Sequence, residues 1–246
     1  MAAALQPQRS RSWRNAKAKQ DDPEAFAAQA ETLGTVYADA PLLEALGGHV
    51  ASTAALTGIQ ALERAAPTKP LRPGCPERRE HAYLRHGTLS LIATCNVATG
   101  TILAPRLGPT RTEADFAAHL AQAIDTAPAA PWRFLADNRN THQSEALVRL
   151  VADRCGLVAD LGVTGRCGLL QSQARRAACL ADPAQRLQCR YTPKHASWRK
   201  QIERWFSIRA RRVLTRGTFA SLDARRDRIL EFIASFNQTP TPLQMD

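Results

Sequence analysis

The chain has 246 residues, of which 44% are hydrophobic and 22% are charged, so an ordinary buried core is possible and global disorder is excluded. Lysine and arginine number 33 against 22 acidic residues, which gives a formal net charge of +11. This charge favours a polyanionic partner, with nucleic acid first and an anionic membrane second. A basic protein without such a partner is the alternative.

Several common classes of protein are excluded by missing motifs. The six cysteines are scattered without a CxxC pair, so a zinc ribbon, a thioredoxin motif and a disulfide framework are not expected. Neither GxxxxGK[ST] nor GxGxxG occurs, so the usual phosphate-binding loops are absent. No window approaches the roughly 18 apolar residues of a membrane span, and the N-terminus has no signal-peptide core. We expect a cytoplasmic protein that does not contact a membrane.

The first quarter of the chain is predicted to be a basic arm, a helix and a strand. Residues 1–20 contain five basic residues and no acid. A helix should begin at Asp21 or Asp22 with Pro23 in its first turn, and Pro41 should break it. Residues 49–53 then form a strand, and the Arg-, Pro- and Glu-rich residues 63–87 form a loop.

The rest of the chain alternates between predicted strands and helices. Residues 88–97 and 101–104 flank a glycine-containing turn, which predicts a hairpin. Thr112 and Asp115 fit a capping box that opens a helix reaching about residue 126. The later elements are a strand at 132–137, a helix at 143–155, a strand at 187–191, and helices along 202–213 and 221–236. This order predicts a mixed α/β sheet with helices on both faces.

Two acidic residues are candidates for chemistry. Asp137 ends an apolar strand, although aspartate there can also simply form a turn. Glu203 follows Ile202 on the flank of a buried helix face, although it could instead pair with a nearby arginine in solvent. Two carboxylates from different elements of a basic chain suggest metal-dependent phosphodiester chemistry, for which a third acid is expected on the first strand.

Short motifs follow one another along the chain at residues 57–64 (TGIQALER), 85–88 (RHGT), 108–112 (GPTRT), 140–144 (NTHQS), 191–195 (YTPKH) and 205–207 (WFS). Over about residues 48–237, these motifs make the chain resemble bacterial insertion-sequence transposases of the mariner-related group. The resemblance implies a DDE-type enzyme with a ribonuclease-H-like fold.

The resemblance implies three acids that hold two Mg²⁺ or Mn²⁺ ions, which cut DNA at the ends of a mobile element and join it to a target. Asp137 matches the second acid and Glu203 the third. The first acid is replaced by Ala54, and no acid lies between Glu44 and Glu63. Lys200 stands where relatives carry asparagine and could compete with a metal. We therefore expect this chain to bind metal poorly and to be inactive.

The resemblance also implies other functional positions and partners. Double-stranded DNA is the expected partner, and a homodimer is possible. A bacterial cytoplasmic location, on the nucleoid when DNA is bound, follows from the same resemblance. DNA contacts are expected at Lys194, His195, Arg199 and Lys200, and cleft positions at Asn138 and His142.

We expect three segments in the chain. Residues 1–47 would be a basic arm and one linker helix left from an N-terminal DNA-recognition region. Residues 48–237 would be the catalytic domain, and residues 238–246 a tail. Three functions remain open: a transposase domain that has lost activity, a non-catalytic DNA-binding protein, or a remnant of a mobile element without function.

Overall fold

The computed structural model describes residues 21–193, 200–207 and 217–242. The expected basic arm and the expected DNA contacts at Lys194, His195 and Arg199 lie outside the described residues, as do residues 208–216 and the last four residues of the tail. None of the described helices combines the length and the hydropathy that a bilayer span requires.

The described residues form a five-stranded sheet and six α-helices. In chain order the elements are α1 (Pro23–Ala45), β1 (His49–Arg64), β2 (Tyr83–Asn96), β3 (Ile102–Gly108), α2 (Glu113–Ile124), β4 (Trp132–Ala136), a short 3-10 helix (Asn140–Gln143), α3 (Glu145–Cys155), α4 (Gln173–Leu180), β5 (Leu187–Tyr191), α5 (Gln201–Trp205) and α6 (Leu222–Gln238).

The sheet is mixed, with strand order β3-β2-β1-β4-β5. The strands β1, β2 and β3 form an antiparallel meander, whereas β4 and β5 run parallel to β1. Ser52 in β1 pairs with Leu135 in β4. Continuing that register by two residues brings Ala54 level with Asp137, so the residue after β4 lies beside the middle of the long strand β1.

Helices cover both faces of the sheet, which confirms the predicted α/β class. On one face, α2, α3 and α4 pack over Ala51, Phe134 and Ile92. On the other face, α1 packs over Val50 and Leu135. Helices α5 and α6 lie on the same side as α1 and form a further apolar cluster, which contains Ala54, Ile202, Trp205, Ile229 and Ile233. Successive β1 residues thus alternate between the two faces.

Two predicted helix starts are confirmed. The Asp22 side chain caps α1 by accepting a hydrogen bond from the backbone N–H of Ala25 (2.9 Å), with Pro23 at the first helical position. Thr112 and Asp115 form the predicted capping box at the start of α2. All six cysteines are free thiols.

Three local predictions need correction. Helix α1 continues through Pro41 to Ala45, because Val36 and Ala40 are buried against the sheet and packing outweighs the lost backbone hydrogen bond. Strand β1 continues to Arg64, which pairs with Tyr83 in the next strand, so the predicted loop at 63–87 is shortened at both ends. The helix α4 was missing from the predicted order, although Ser172 caps it as a typical N-cap residue.

Candidate active site

Asp137 directly follows β4, at the carboxyl end of the parallel half of the sheet. Its side chain is only 16% exposed. One carboxylate oxygen contacts Nδ1 of His142, and the other lies 3.0 Å from Nε of Arg139. His142 is itself buried and its ring stacks on Phe116, with ring centroids 4.0 Å apart. The imidazole is therefore held in place beneath the carboxylate.

These neighbours determine the charge state of Asp137. Burial alone would raise the pKa of this carboxyl group. The hydrogen bond from His142 and the positive charges of Lys200, His142 and Arg139 outweigh burial and lower the pKa of Asp137 to about 2. Asp137 is consequently a carboxylate at neutral pH.

Lys200 lies between the two predicted acids. Its Nζ atom is 3.8 Å from Oδ2 of Asp137 and 3.6 Å from Oε1 of Glu203. The same ammonium donates a hydrogen bond to the backbone carbonyl of Thr53 in β1, over 3.2 Å. The side chain is fully buried. Burial lowers the pKa of Lys200, while the charges of Asp137 and Glu203 oppose that shift.

The short helix α5 is positioned by contacts with two other elements. The backbone N–H of Gln201 donates to the hydroxyl of Tyr37 in α1 over 3.2 Å. The backbone N–H of Ile202 donates to the hydroxyl of Ser52 in β1 over 3.3 Å. These bonds, with the burial of Ile202 in the core, hold Glu203 close to the end of β4.

Ala54 occupies the position on β1 that faces this group. It is 1% exposed and belongs to the same apolar cluster as Ile202 and Trp205. Its neighbour Ala55 points to the opposite face and lines a small cavity together with Asp137, Arg111, Arg139 and His142. The β1–β4 register therefore places a methyl group, and no carboxylate, level with Asp137 on β1.

The residues present do not fit the pair of divalent ions that the resemblance implies. Among the described residues, no three His, Cys, Asp or Glu side chains come together in a way that could hold a metal ion. The two acids that do approach each other share a lysine ammonium instead. A divalent cation prefers several oxygen ligands and no neighbouring cation, and here the Lys200 ammonium already lies within 4 Å of both carboxylates.

The structure brings several of the predicted site residues together. Asp137 contacts His142, and Lys200 lies within 4 Å of both Asp137 and Glu203, while the catalytic and metal-binding roles of these residues stay predictions. The predicted DNA contact of Lys200 is wrong, because a phosphate contact needs an exposed ammonium and this one is buried. The side-chain oxygen of Asn138 accepts a hydrogen bond from Gln143, within the loop that follows β4.

Sequence reasoning missed the contribution of three groups to the site. The Arg139 side chain pairs with Asp137, and Arg111 lines the adjoining cavity. The third is the backbone carbonyl of Thr53, which holds the Lys200 ammonium. Arg139 lies two residues from Asp137 and could have been found by proximity. A backbone acceptor gives no sequence signal.

Comparisons with known proteins agree with this architecture. A family model described as "DDE superfamily endonuclease" matches residues 57–225. No curated protein sequence matches the chain. Among solved structures, the Mos1 mariner paired end complex with Mn is similar at 12% identity and a TM-score of 0.55. A pre-cleavage Mos1 transpososome is similar at 12% identity and a TM-score of 0.52.

Each of these two matches covers 94% of this chain and 60% of the other, so the chain spans about three fifths of the length of these solved structures. At this identity the similarity supports the fold, a mixed sheet of the ribonuclease-H-like type. The matched family segment extends from the middle of β1 into α6 and includes Asp137 and Glu203. Since that segment is well over half of the sequence, the chain belongs to the DDE superfamily endonuclease family.

Proposed function

We propose that this chain is a transposase-derived DDE domain that binds double-stranded DNA but does not cut it. The observation that carries the proposal is the composition of the site: buried Ala54 on β1, with the Lys200 ammonium between Asp137 and Glu203. Two divalent ions about 4 Å apart repel each other, and a bridging carboxylate offsets that repulsion. Without that carboxylate, nothing offsets the repulsion between the two ions that the reaction requires.

Binding of DNA is supported by the charge of the chain. The formal net charge is +11. Arg111 and Arg139 lie at the mouth of the cavity beside Asp137, and the segment between β1 and β2 exposes Arg72 and Arg78. The two similar solved structures are described as a paired end complex and a transpososome, which is consistent with a nucleic-acid partner. Contacts of this kind depend on phosphate charge more than on base sequence.

The absence of cleavage can be tested with duplex oligonucleotides in Mg²⁺ or Mn²⁺. We expect the parent chain to produce no more nicked DNA than the Asp137→Ala variant, because the two-metal site is incomplete in both. Nicking by the parent chain that disappears in Asp137→Ala would overturn this part of the proposal. Contaminating nucleases would cut equally in both samples and are controlled by the comparison.

Binding can be tested separately by fluorescence anisotropy with labelled duplexes. We expect affinity that falls steeply with salt and varies little between sequences. The double variant Arg72→Gln/Arg78→Gln should lower the salt slope by roughly two units if both side chains contact phosphates. No detectable binding at low salt would contradict the proposal and favour a remnant without function.

A further inference from the structure

We propose that the Lys200 ammonium is an internal cation that takes the place of a divalent ion between Asp137 and Glu203, and thereby excludes metal from the site. This inference deepens the proposed function, on which it rests. The inference also predicts an outcome beyond the loss of activity, which is a gain of metal binding. Replacing Lys200 and restoring a carboxylate at position 54 should create a divalent-metal site.

The first support is the coordination of the ammonium. Its Nζ atom is approached by three oxygens from three separate elements: the carbonyl of Thr53 at 3.2 Å, a carboxylate oxygen of Glu203 at 3.6 Å and one of Asp137 at 3.8 Å. A surface ion pair would leave the ammonium in water and would be weak. Here the whole side chain is buried, so no solvent replaces these oxygens.

The second support is the chemistry of the surrounding oxygens. Carboxylate and carbonyl oxygens are the ligands that Mg²⁺ and Mn²⁺ prefer. The three groups around Lys200 would therefore suit such an ion if the ammonium were absent. With the ammonium present, an incoming divalent cation would meet a fixed positive charge in a setting where water screens poorly.

The third support is the position of Ala54. It directly follows Thr53, and the β1–β4 register places it level with Asp137. An aspartate there would add a carboxylate to the same group of oxygens. Ala54→Asp on its own should not create a metal site, because Lys200 would neutralise the added charge. The effect of Lys200 on metal binding can thus be separated from the effect of the missing acid at position 54 by mutating each residue alone.

The experiment measures the midpoint of thermal unfolding of the full chain in EDTA and in Mn²⁺. The proteins are the parent chain, Ala54→Asp, Lys200→Asn and the double variant Ala54→Asp/Lys200→Asn. Lys69→Asn serves as the matched control, because it makes the same exchange at an exposed lysine. A ligand that binds only the folded state raises the midpoint, and the rise grows as the free ligand concentration exceeds the dissociation constant.

We expect Mn²⁺ at about 5 mM to raise the midpoint of the double variant by about 5 °C or more, a shift that corresponds to tight occupancy of one site. The parent chain, Ala54→Asp and Lys69→Asn should shift by about 1 °C or less. In EDTA, Lys200→Asn should unfold at a lower temperature than Lys69→Asn, since two partly buried carboxylates lose a partner.

Stabilisation of the parent chain by Mn²⁺ as large as that of the double variant would overturn the inference. Equal unfolding midpoints of Lys200→Asn and Lys69→Asn, both measured in EDTA, would also overturn it. If the double variant does not fold, Mn²⁺ binding to Lys200→Asn is measured instead, by following free Mn²⁺ with electron paramagnetic resonance. One ion bound per chain of Lys200→Asn, with none bound by the parent chain, supports the inference. No ion bound by Lys200→Asn contradicts the inference. Cleavage by the parent chain would instead overturn the proposed function, so the two failures are distinguishable.

Discussion

The ammonium of Lys200 donates a hydrogen bond of 3.2 Å to the backbone carbonyl of Thr53. Thr53 immediately precedes Ala54, so the two departures from the expected DDE motif, at positions 54 and 200, are neighbours in space although they are far apart in the sequence. They form one local arrangement, in which the buried ammonium of Lys200 contacts both acids and its carbonyl partner on β1 is the residue next to Ala54.

Trp205 should be essential for stability. Its side chain is fully buried, and its ring packs near Phe206, Phe232 and Phe236 at centroid distances of 5.6, 6.0 and 5.8 Å. Trp205→Ala should lower the free energy of unfolding by about 3–5 kcal/mol. Urea unfolding followed by circular dichroism would measure this loss.

A matched large-to-small exchange on the surface provides the control for Trp205. Leu46 is 75% exposed at the end of α1. Leu46→Ala should change the free energy of unfolding by about 0.5 kcal/mol or less. Similar losses for both variants would show that Trp205 is not a core residue.

The free energy of unfolding should decrease as the pH falls below 6.5, because of His119. This side chain is fully buried, with Nδ1 donating to the carbonyl of Ala104 and Nε2 accepting from the hydroxyl of Thr94. Burial, and to a smaller extent the charge of Arg106, lower the pKa of His119 from 6.5 to about 4, against the opposing hydrogen bond to Ala104. The folded state therefore favours the neutral ring.

The sign of the pH effect follows from that shift. Between pH 6.5 and about 4 the unfolded chain binds a proton that the folded chain does not, so this contribution to stability is complete above pH 6.5 and is lost as the pH falls. The total loss should be roughly 3 kcal/mol. Urea unfolding at several pH values would measure it. His119→Gln should show a shallower decline, and an unchanged decline would contradict the assignment.

The capping box of α2 should make a measurable contribution. The hydroxyl of Thr112 accepts from the backbone N–H of Asp115 at 3.2 Å, and the Asp115 carboxylate accepts from the backbone N–H of Thr112 at 2.9 Å. Thr112→Ala should cost about 1 kcal/mol in the free energy of unfolding. Gln122→Ala, on the exposed side of the same helix, should change it by about 0.5 kcal/mol or less. Equal effects would argue against the cap.

Two glycines in one loop should respond differently to alanine. Gly162 and Gly165 both have φ of 76°, a conformation that costs other residues about 1–2 kcal/mol. A Cβ atom at Gly162 would lie 2.2 Å from the carbonyl oxygen of Cys167, whereas one at Gly165 would meet nothing within 4 Å. Gly162→Ala should therefore lower the midpoint of thermal unfolding clearly more than Gly165→Ala, and equal shifts would contradict this geometry.

Much of the fold could be predicted from the sequence because its signals are local. The cap at Asp22, the capping box at Thr112 and the apolar strand before Asp137 depend on residues a few positions apart, and all three appear where predicted. The continuation of α1 through Pro41 and the full length of β1 were missed. Both depend on packing and pairing with distant parts of the chain, which local propensity does not encode.

In the candidate site, too, some features follow from local sequence and others depend on distant parts of the chain. The sequence by itself determined the prediction that Asp137 and Glu203 are the acids of the site and that Ala54 replaces a third, since it rests on short motifs and on the end of a strand. Only the tertiary structure decided what Lys200 does. A lysine is normally a solvent-exposed cation, and it becomes a buried internal one only when oxygens from β1, from the residue after β4 and from α5 surround it. That arrangement requires three segments, distant in sequence, to meet at one point, which is a property of the folded chain.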